Sequence, residues 1–279
     1  MKYTIKQFQK AFPNDDACLA YMFTRKWASK PCPSCKRTDT FSRIVDRRQY
    51  ACICGYQVAP TAGSIFEKSS TSLVYWFYAI YLFSQSKNGV SAKELQRQTG
   101  VTYKTAWRMA HEIRKLMEES SKKSGGTFEV DETYFGGRSK GTTGRGTKKR
   151  PIFGIMKRGG KIVTKHVPNV ARVNIMPVIY ANAAKDSTIM SDEYHIYKHA
   201  FPDMKHKTVN HGGKQYVIGN IHTNNLEGYW SLFKRSVKGT YVHVSPKYLQ
   251  AYLNEFSYRY NRRTSSSQIF HQMLRKAAC

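Results

Sequence analysis

The spacing of apolar residues changes character several times along the chain. Ile5, Phe8 and Phe12 recur three and four residues apart, which predicts a short amphipathic helix, and a second apolar stretch follows from Cys18 to Trp27. Residues 32–54 are turn-rich, with a strand-like stretch around Phe41, Ile44, Val45 and Tyr50. Helical periodicity then holds from about Thr71 to Glu119. Within it, Leu73 to Phe83 is an unbroken apolar run of 11 residues, about half of what crosses a bilayer, and so predicts a buried helix. The polar run Ser120-Ser121-Lys122-Lys123-Ser124-Gly125-Gly126 is the best boundary in the sequence.

Beyond that joint the pattern is mixed. Thr127 to Tyr134 alternates as a strand, and Pro151 to Val167 predicts a hairpin turning at Gly159-Gly160. A helix over Val173–Ala184, a short buried strand over Ser187–Ser191, and helices over Thr223–Val237, Pro246–Tyr260 and Ser267–Lys276 complete the pattern. This order predicts an α/β domain with a mixed sheet flanked by helices. Three regions result: 1–66, 67–120 and 121–279.

Charge narrows the class of partner. The chain carries 46 Lys+Arg against 18 Asp+Glu, a net of +28, with 41% hydrophobic residues, enough for a real core. Such an excess suits neutralisation of phosphates, with release of condensed counterions, far better than small-molecule chemistry. No basic amphipathic helix argues for a membrane surface, and the polar, charged stretch Met1 to Ala11 is unlike a signal peptide. The expectation is a cytoplasmic, nucleoid-associated protein that binds double-stranded DNA and no membrane.

Four of the six cysteines form two close pairs. Cys32-Pro33-Ser34-Cys35 is a tight metal-gripping turn, and Cys52 and Cys54 follow about 17 residues on, the spacing of a zinc ribbon with a closed, structural Zn²⁺ site. The second pair is C-x-C where a ribbon normally has C-x-x-C, so closure is expected to be strained, or one ligand replaced. Four free buried thiols are the alternative. Cys18 and Cys279 have no such neighbours.

Residues 91–109 fit two helices about a turn at Gly100, a helix-turn-helix, with Leu95, Val101, Ala106 and Met109 packed inside. Thr102 caps the second helix, leaving Tyr103, Lys104, Thr105 and Arg108 to face a major groove. A structural helix pair would show the same pattern. The stretch Arg138 to Arg150 holds six basic residues and no acids, and Arg145, Lys148, Lys149 and Arg150 are DNA-contact candidates in a loop between the first strand and the hairpin; a solvated surface loop is the alternative.

Phosphodiester chemistry on DNA can be run by two Mg²⁺ ions held by carboxylates converging from different elements. In a chain so poor in acid, three carboxylates stand at the ends of apolar runs or early in a helix: Asp131, Asp192 and Glu227. Lys234 follows Glu227 by two helical turns and can reach a phosphate. The neighbouring acids Glu129, Glu132 and Glu193 are expected to be bystanders, with Glu132 close enough to assist.

These residues resemble the DDE triad of transposases and retroviral integrases. More narrowly, the chain is similar to bacterial insertion-sequence transposases of the 1595 type, which join an N-terminal zinc ribbon to a DDE domain. The likeness runs through Cys-Pro-Ser-Cys at 32–35, Thr61 to Phe66, Val130 to Gly137, His222 to Glu227, Trp230 to Arg235 and Asn261-Arg262-Arg263. It implies an RNase H-like catalytic fold, two Mg²⁺ ions for which Mn²⁺ can substitute, and cutting at element ends. It further implies strand transfer into target DNA by a free 3′-OH, a homo-oligomer on DNA, and help to Glu227 from Asn224 or Asn225. A DNA-binding regulator with an inert C-terminal domain and a nuclease of the same fold are the competing classes.

Overall fold

The computed structural model describes residues 3–137, 147–197, 201–209 and 222–278. The chain divides into two compact units, Met1–Met117 with Thr264–Cys279, and Glu118–Arg263.

The first unit is helical, with a small sheet. In α1 (Ile5–Ala11) Thr4 and Gln7 form a reciprocal capping box. In α2 (Asp15–Lys26) the Asn14 side chain caps the start, with Asp15 and Asp16 in the first turn and Arg25 and Lys26 in the last, matching the helix dipole. Three short antiparallel strands follow, β1 (Phe41–Arg43), β2 (Tyr50–Cys52) and β3 (Gln57–Val58). Next come α3 (Leu73–Gln85), α4 (Ala92–Thr99) and α5 (Tyr103–Leu116). Apolar on nearly every side, α3 sits at the centre, packed on α2, α5 and the C-terminal helix Ile269–Ala278. Its Trp76, Phe77, Ile80 and Phe83 are wholly buried, each worth roughly 1.5–3 kcal/mol. The C-terminal helix, continuous in sequence with residues 121–279, thus joins this unit, burying Phe270, Met273 and Leu274 in it.

The second unit is a five-stranded sheet between helices. Its elements are β4 (Thr127–Phe135), β5 (Arg150–Lys157), β6 (Ile162–His166), α6 (Arg172–Asn182), β7 (Thr188–Asp192), β8 (Lys205–Val209), α7 (Asn224–Ser236) and α8 (Leu249–Tyr260). The strand order is β6-β5-β4-β7-β8. Among these strands β5 alone runs antiparallel to the rest, since β4 pairs parallel with β7 and β7 with β8. One face, with Phe128, Val130, Phe153, Ile155 and Ile189, packs on Ile175 and Ile179 of α6. The other, with Ile152, Met156 and Ile162, packs on Leu226, Trp230 and Phe233 of α7 and Leu253 and Phe256 of α8. The fold is the expected α/β, RNase H-like sheet flanked by helices, preceded in the chain by the cysteine ribbon. Strand β8 went unforeseen because its Lys-His-Lys-Thr-Val is polar, as suits an edge strand. Part of the polar joint is ordered: Ser124 donates its N–H to Asn182 O and accepts from Ala184 N–H.

Candidate functional site

Register brings two of the acids together. Strands β4 and β7 pair in parallel as Thr127↔Thr188, Phe128↔Ile189 and Glu129↔Met190, a constant offset. Carried two residues further, that offset matches Asp192, the last residue of β7, with Asp131 in the middle of β4, on the same face. Glu227 rises from the first turn of α7, the helix packed on that face. Burial pushes the Asp131 carboxyl well above the usual range. The charges of Glu132, Asp192 and Glu227 push the same way, against one lowering contact from the Glu132 N–H. Thr223 Oγ1 donates to Glu227 Oε1 (2.9 Å), and Tyr194 N–H donates to Asp192 Oδ1 (3.1 Å).

Lys234 stands two turns beyond Glu227 and shares the neighbourhood. Partial burial lowers its ammonium below the ordinary lysine value; Asp131 pulls it back up and Lys149 pushes it down. Lys149 is thus near enough for its charge to act on Lys234, while Lys148 and Arg150 are exposed. Arg145 falls in 138–146, outside the described residues.

Several supporting residues gave no signal in the sequence. Trp230 Nε1 donates to Asp131 Oδ2 (3.0 Å) and so holds one oxygen of that carboxylate. The ring lies over Gly154, the strand partner of Asp131, where a Cβ would come within 2.6 Å of Trp230 Cζ2. Only glycine admits the indole there. Glu132, on the opposite face, accepts from Tyr197 OH (3.0 Å). Glu193 is exposed. Glu129 is no bystander: its side chain is completely buried and carries hydrogen bonds from Arg158, Asn225 and Leu226. Asn225 thus serves Glu129; Asn224 is exposed on the side of α7 that carries Glu227.

The four cysteines do close. Sγ of Cys32, Cys35, Cys52 and Cys54 all lie within 4.8 Å of one another, with Cys32–Cys54 and Cys35–Cys52 each at 3.6 Å. Sulfurs around a tetrahedral zinc with bonds of about 2.3 Å sit roughly 3.8 Å apart, so the donor set fits the ion. The C-x-C pair needs no substitute ligand, because Gly55 takes φ +84° and turns the chain back so that Gly55 N–H reaches Cys52 O. Lys36, at φ +60°, does the same beyond the first pair. Burial works to raise the Cys52 thiol, but the Cys54 N–H and the Thr40 hydroxyl help bring it down to about 6. Among the described residues this is the one group of three or more such ligands drawn so close; Asp131, Asp192 and Glu227 are spaced more widely.

Helices α4 and α5 meet at Gly100, which takes φ +72°, and Thr102 Oγ1 accepts the Thr105 N–H to start α5. Tyr103, Lys104 and Arg108 are exposed and Thr105 is half-buried. Lys93 Nζ sits over the Tyr103 ring at 4.9 Å, and Arg108 donates to Glu67 O (3.3 Å). No helix among the described residues is long and apolar enough to cross a membrane.

Residues 123–261 match the family described as ISXO2-like transposase domain, and residues 13–57 match the transposase zinc-ribbon domain. The chain is 28% identical over 253 residues to an uncharacterized protein in transposable element ISH50 of Halobacterium salinarum, covering 82% of this chain and 84% of that one. It is 24% identical over 110 residues to an uncharacterized transposase-like protein of Haemophilus influenzae, covering 39% of this chain and 88% of that one. A solved structure of a simian T-cell lymphotropic virus intasome with a PP2A regulatory subunit aligns over 64% of both chains at 13% identity, with a TM-score of 0.31, too loose for any comparison of sites. The two domain matches lie in the order expected from the cysteine ribbon and the acid-bearing sheet, and the chain belongs to the insertion-sequence transposases of the 1595 type.

Proposed function

We propose that this transposase-family protein binds the ends of its insertion sequence, cleaves them, and joins them to target DNA at a site formed by Asp131, Asp192 and Glu227. The observation that carries this reading is the β4–β7 register, which sets two carboxylates side by side on the face covered by the helix bearing the third. Carboxylate oxygens suit Mg²⁺ or Mn²⁺, and two such ions polarise the attacking and leaving oxygens of an in-line displacement. Asp131 and Asp192 would hold them jointly, Glu227 would complete the second ion's shell, and the Trp230 indole, bonded to Asp131 Oδ2, would steady that carboxylate. Lys234 and Lys149 supply positive charge for the DNA backbone at the same place.

Recognition is assigned to the helix pair and the basic segment. Tyr103, Lys104, Thr105 and Arg108 present a basic, hydrogen-bonding face on α5 of the width a major groove accepts. Arg145, Lys148, Lys149 and Arg150 add backbone contacts, and the cysteine ribbon carries one structural Zn²⁺. Assembly as a homo-oligomer on DNA lets both ends be processed together.

Incubating the protein with flanking-end duplex and Mg²⁺, and scoring both cut and joined products, tests the proposal. Joined products are expected. Cutting without joining would make the protein a nuclease, and binding without cutting would make it a regulator.

A further inference from the structure

We propose that Glu129 is a positioning residue that sets Glu227 against Asp131 by clamping the start of α7. The inference rests on the reading of Asp131, Asp192 and Glu227 as the metal-binding acids. Glu129 precedes Asp131 by two residues and so lies on the same face of the same strand. It sits in mid-sheet, paired with Met156 on one side and Met190 on the other, and is completely buried. A buried carboxylate is costly unless matched by donors, and an apolar side chain would serve the sheet better.

Three of the donors come from the approach to Glu227. Asn225 and Leu226 donate backbone N–H groups to Glu129 Oε2 (3.1 and 3.2 Å), and Asn225 Nδ2 donates to Oε1 (2.7 Å). Both N–H groups lie in the first turn, where a helix start leaves donors to be satisfied from outside; the Leu226 N–H is shared with Thr223 O (3.0 Å), and the Asn225 N–H goes to Glu129. The residue at the usual capping position, Thr223, makes no side-chain cap; its hydroxyl is turned to Glu227 instead. Glu129 supplies the cap from another strand, and its negative charge faces the positive end of the helix.

Arg158 closes the clamp. Its Nε donates to Glu129 Oε1 (2.9 Å), its Nη2 to His222 O (2.9 Å), and its backbone N–H to Thr127 O (2.9 Å). The turn after β5, the start of β4 and the entry to α7 are thereby held by one ion pair. Leu226, whose N–H is gripped, immediately precedes Glu227, while Asp131 is fixed to Glu129 through the strand. One carboxylate thus sets the spacing between the first and third acids, the kind of support a metal-binding group needs to keep its geometry.

Full-length wild type, Glu129→Gln and Glu227→Gln proteins would be compared for amide exchange over residues 222–230, for Mn²⁺ binding by water-proton relaxation, and for cleavage of end DNA. Glu129→Gln should speed exchange at Asn225 and Leu226, and should raise the Mn²⁺ concentration for half-saturation about tenfold or more. Lower thermal stability with unchanged Mn²⁺ binding would make Glu129 merely structural and overturn the proposal, as would unchanged exchange. Should Glu129→Gln fail to fold, Asn225→Ala removes one donor through an exposed side chain. It should shift Mn²⁺ binding in the same direction by less, and no shift would be equally fatal. If Glu227→Gln binds Mn²⁺ like wild type while Glu129→Gln still speeds exchange, the acid-site reading has failed and the clamp serves only the helix.

Discussion

Two helices of this molecule, one in each unit, begin in the same unusual way. Neither Ser72 before α3 nor Thr223 before α7 caps its own helix. In each case a carboxylate from a distant element accepts the first N–H groups and is itself held by an arginine. For α3 it is Asp15, which accepts Val74 N–H (3.0 Å) and the Ser72 hydroxyl and pairs with Arg48 (3.1 Å). For α7 it is Glu129 with Arg158. The environments differ. The Asp15 side chain keeps 38% of its exposure and joins the end of the cysteine ribbon to α2 and α3, since Arg48 also donates to Ser69 O and Thr71 O. Glu129 keeps none and lies two residues from Asp131. The same device therefore closes a helical core in one unit and governs the spacing of charged groups in the other. Where a cap is buried, removing it leaves charges without partners as well as a frayed helix.

The largest expected effect is a gap in stability. Glu129→Ala takes from Arg158 its buried carboxylate partner and from Asn225 the acceptor of its backbone and side-chain N–H groups, and should cost about 3–5 kcal/mol. Asp15→Ala should cost about 0.5–2 kcal/mol, as for an ordinary cap. Urea unfolding measures both, and equal losses would break the comparison.

Next comes Gly154→Ala. The new methyl must displace Trp230, at about 1–3 kcal/mol of overpacking. It also removes the donor on Asp131, so cleavage should fall further than stability alone explains. Cleavage unchanged at full folding would detach Trp230 from the site.

A smaller effect distinguishes Asp15 by pH. Burial works to raise its carboxyl, but hydrogen bonds from Ser72, Val74 and Leu73 and the Arg48 charge hold it below the usual range. Because the folded value is the lower one, its contribution is present above the ordinary carboxylate value of about 4 and fades as pH falls through the folded value. The urea midpoint of wild type should drop there, and that of Asp15→Asn should drop less. Parallel acid limbs would assign the loss to other groups.

The smallest stability effect belongs to α5, which caps itself through Thr102. Lys104→Ala and Arg108→Ala should each change stability by less than about 0.5 kcal/mol, while flattening the salt dependence of DNA binding by roughly one counterion per phosphate contact. An unaltered salt slope would move recognition off this helix.

Much of this was legible from local patterns. The hairpin, the helices and the cysteine turns follow from periods and turn residues, and Asp131, Asp192 and Glu227 stand out in a chain so poor in acid. What was hidden depends on partners remote in sequence. Glu129 looks like a solvent-facing acid on an alternating strand until α7, almost 100 residues later, covers it. Gly154 looks like an ordinary strand glycine until Trp230 lies on it. The C-terminal helix carries an apolar face, but nothing in its sequence says that the face belongs against α3.

The most direct measurement takes Asp131→Ala, Asp192→Ala, Glu227→Ala and, as a control, Glu193→Ala on one pre-cut end duplex with Mg²⁺, scoring strand transfer and DNA binding separately. Each of the first three should lose strand transfer by a thousandfold or more, about 4 kcal/mol of transition-state stabilisation, while still binding DNA, and Glu193→Ala should stay near wild type. Strand transfer at the wild-type level by any of the three would contradict the assignment of these carboxylates as the chemical centre.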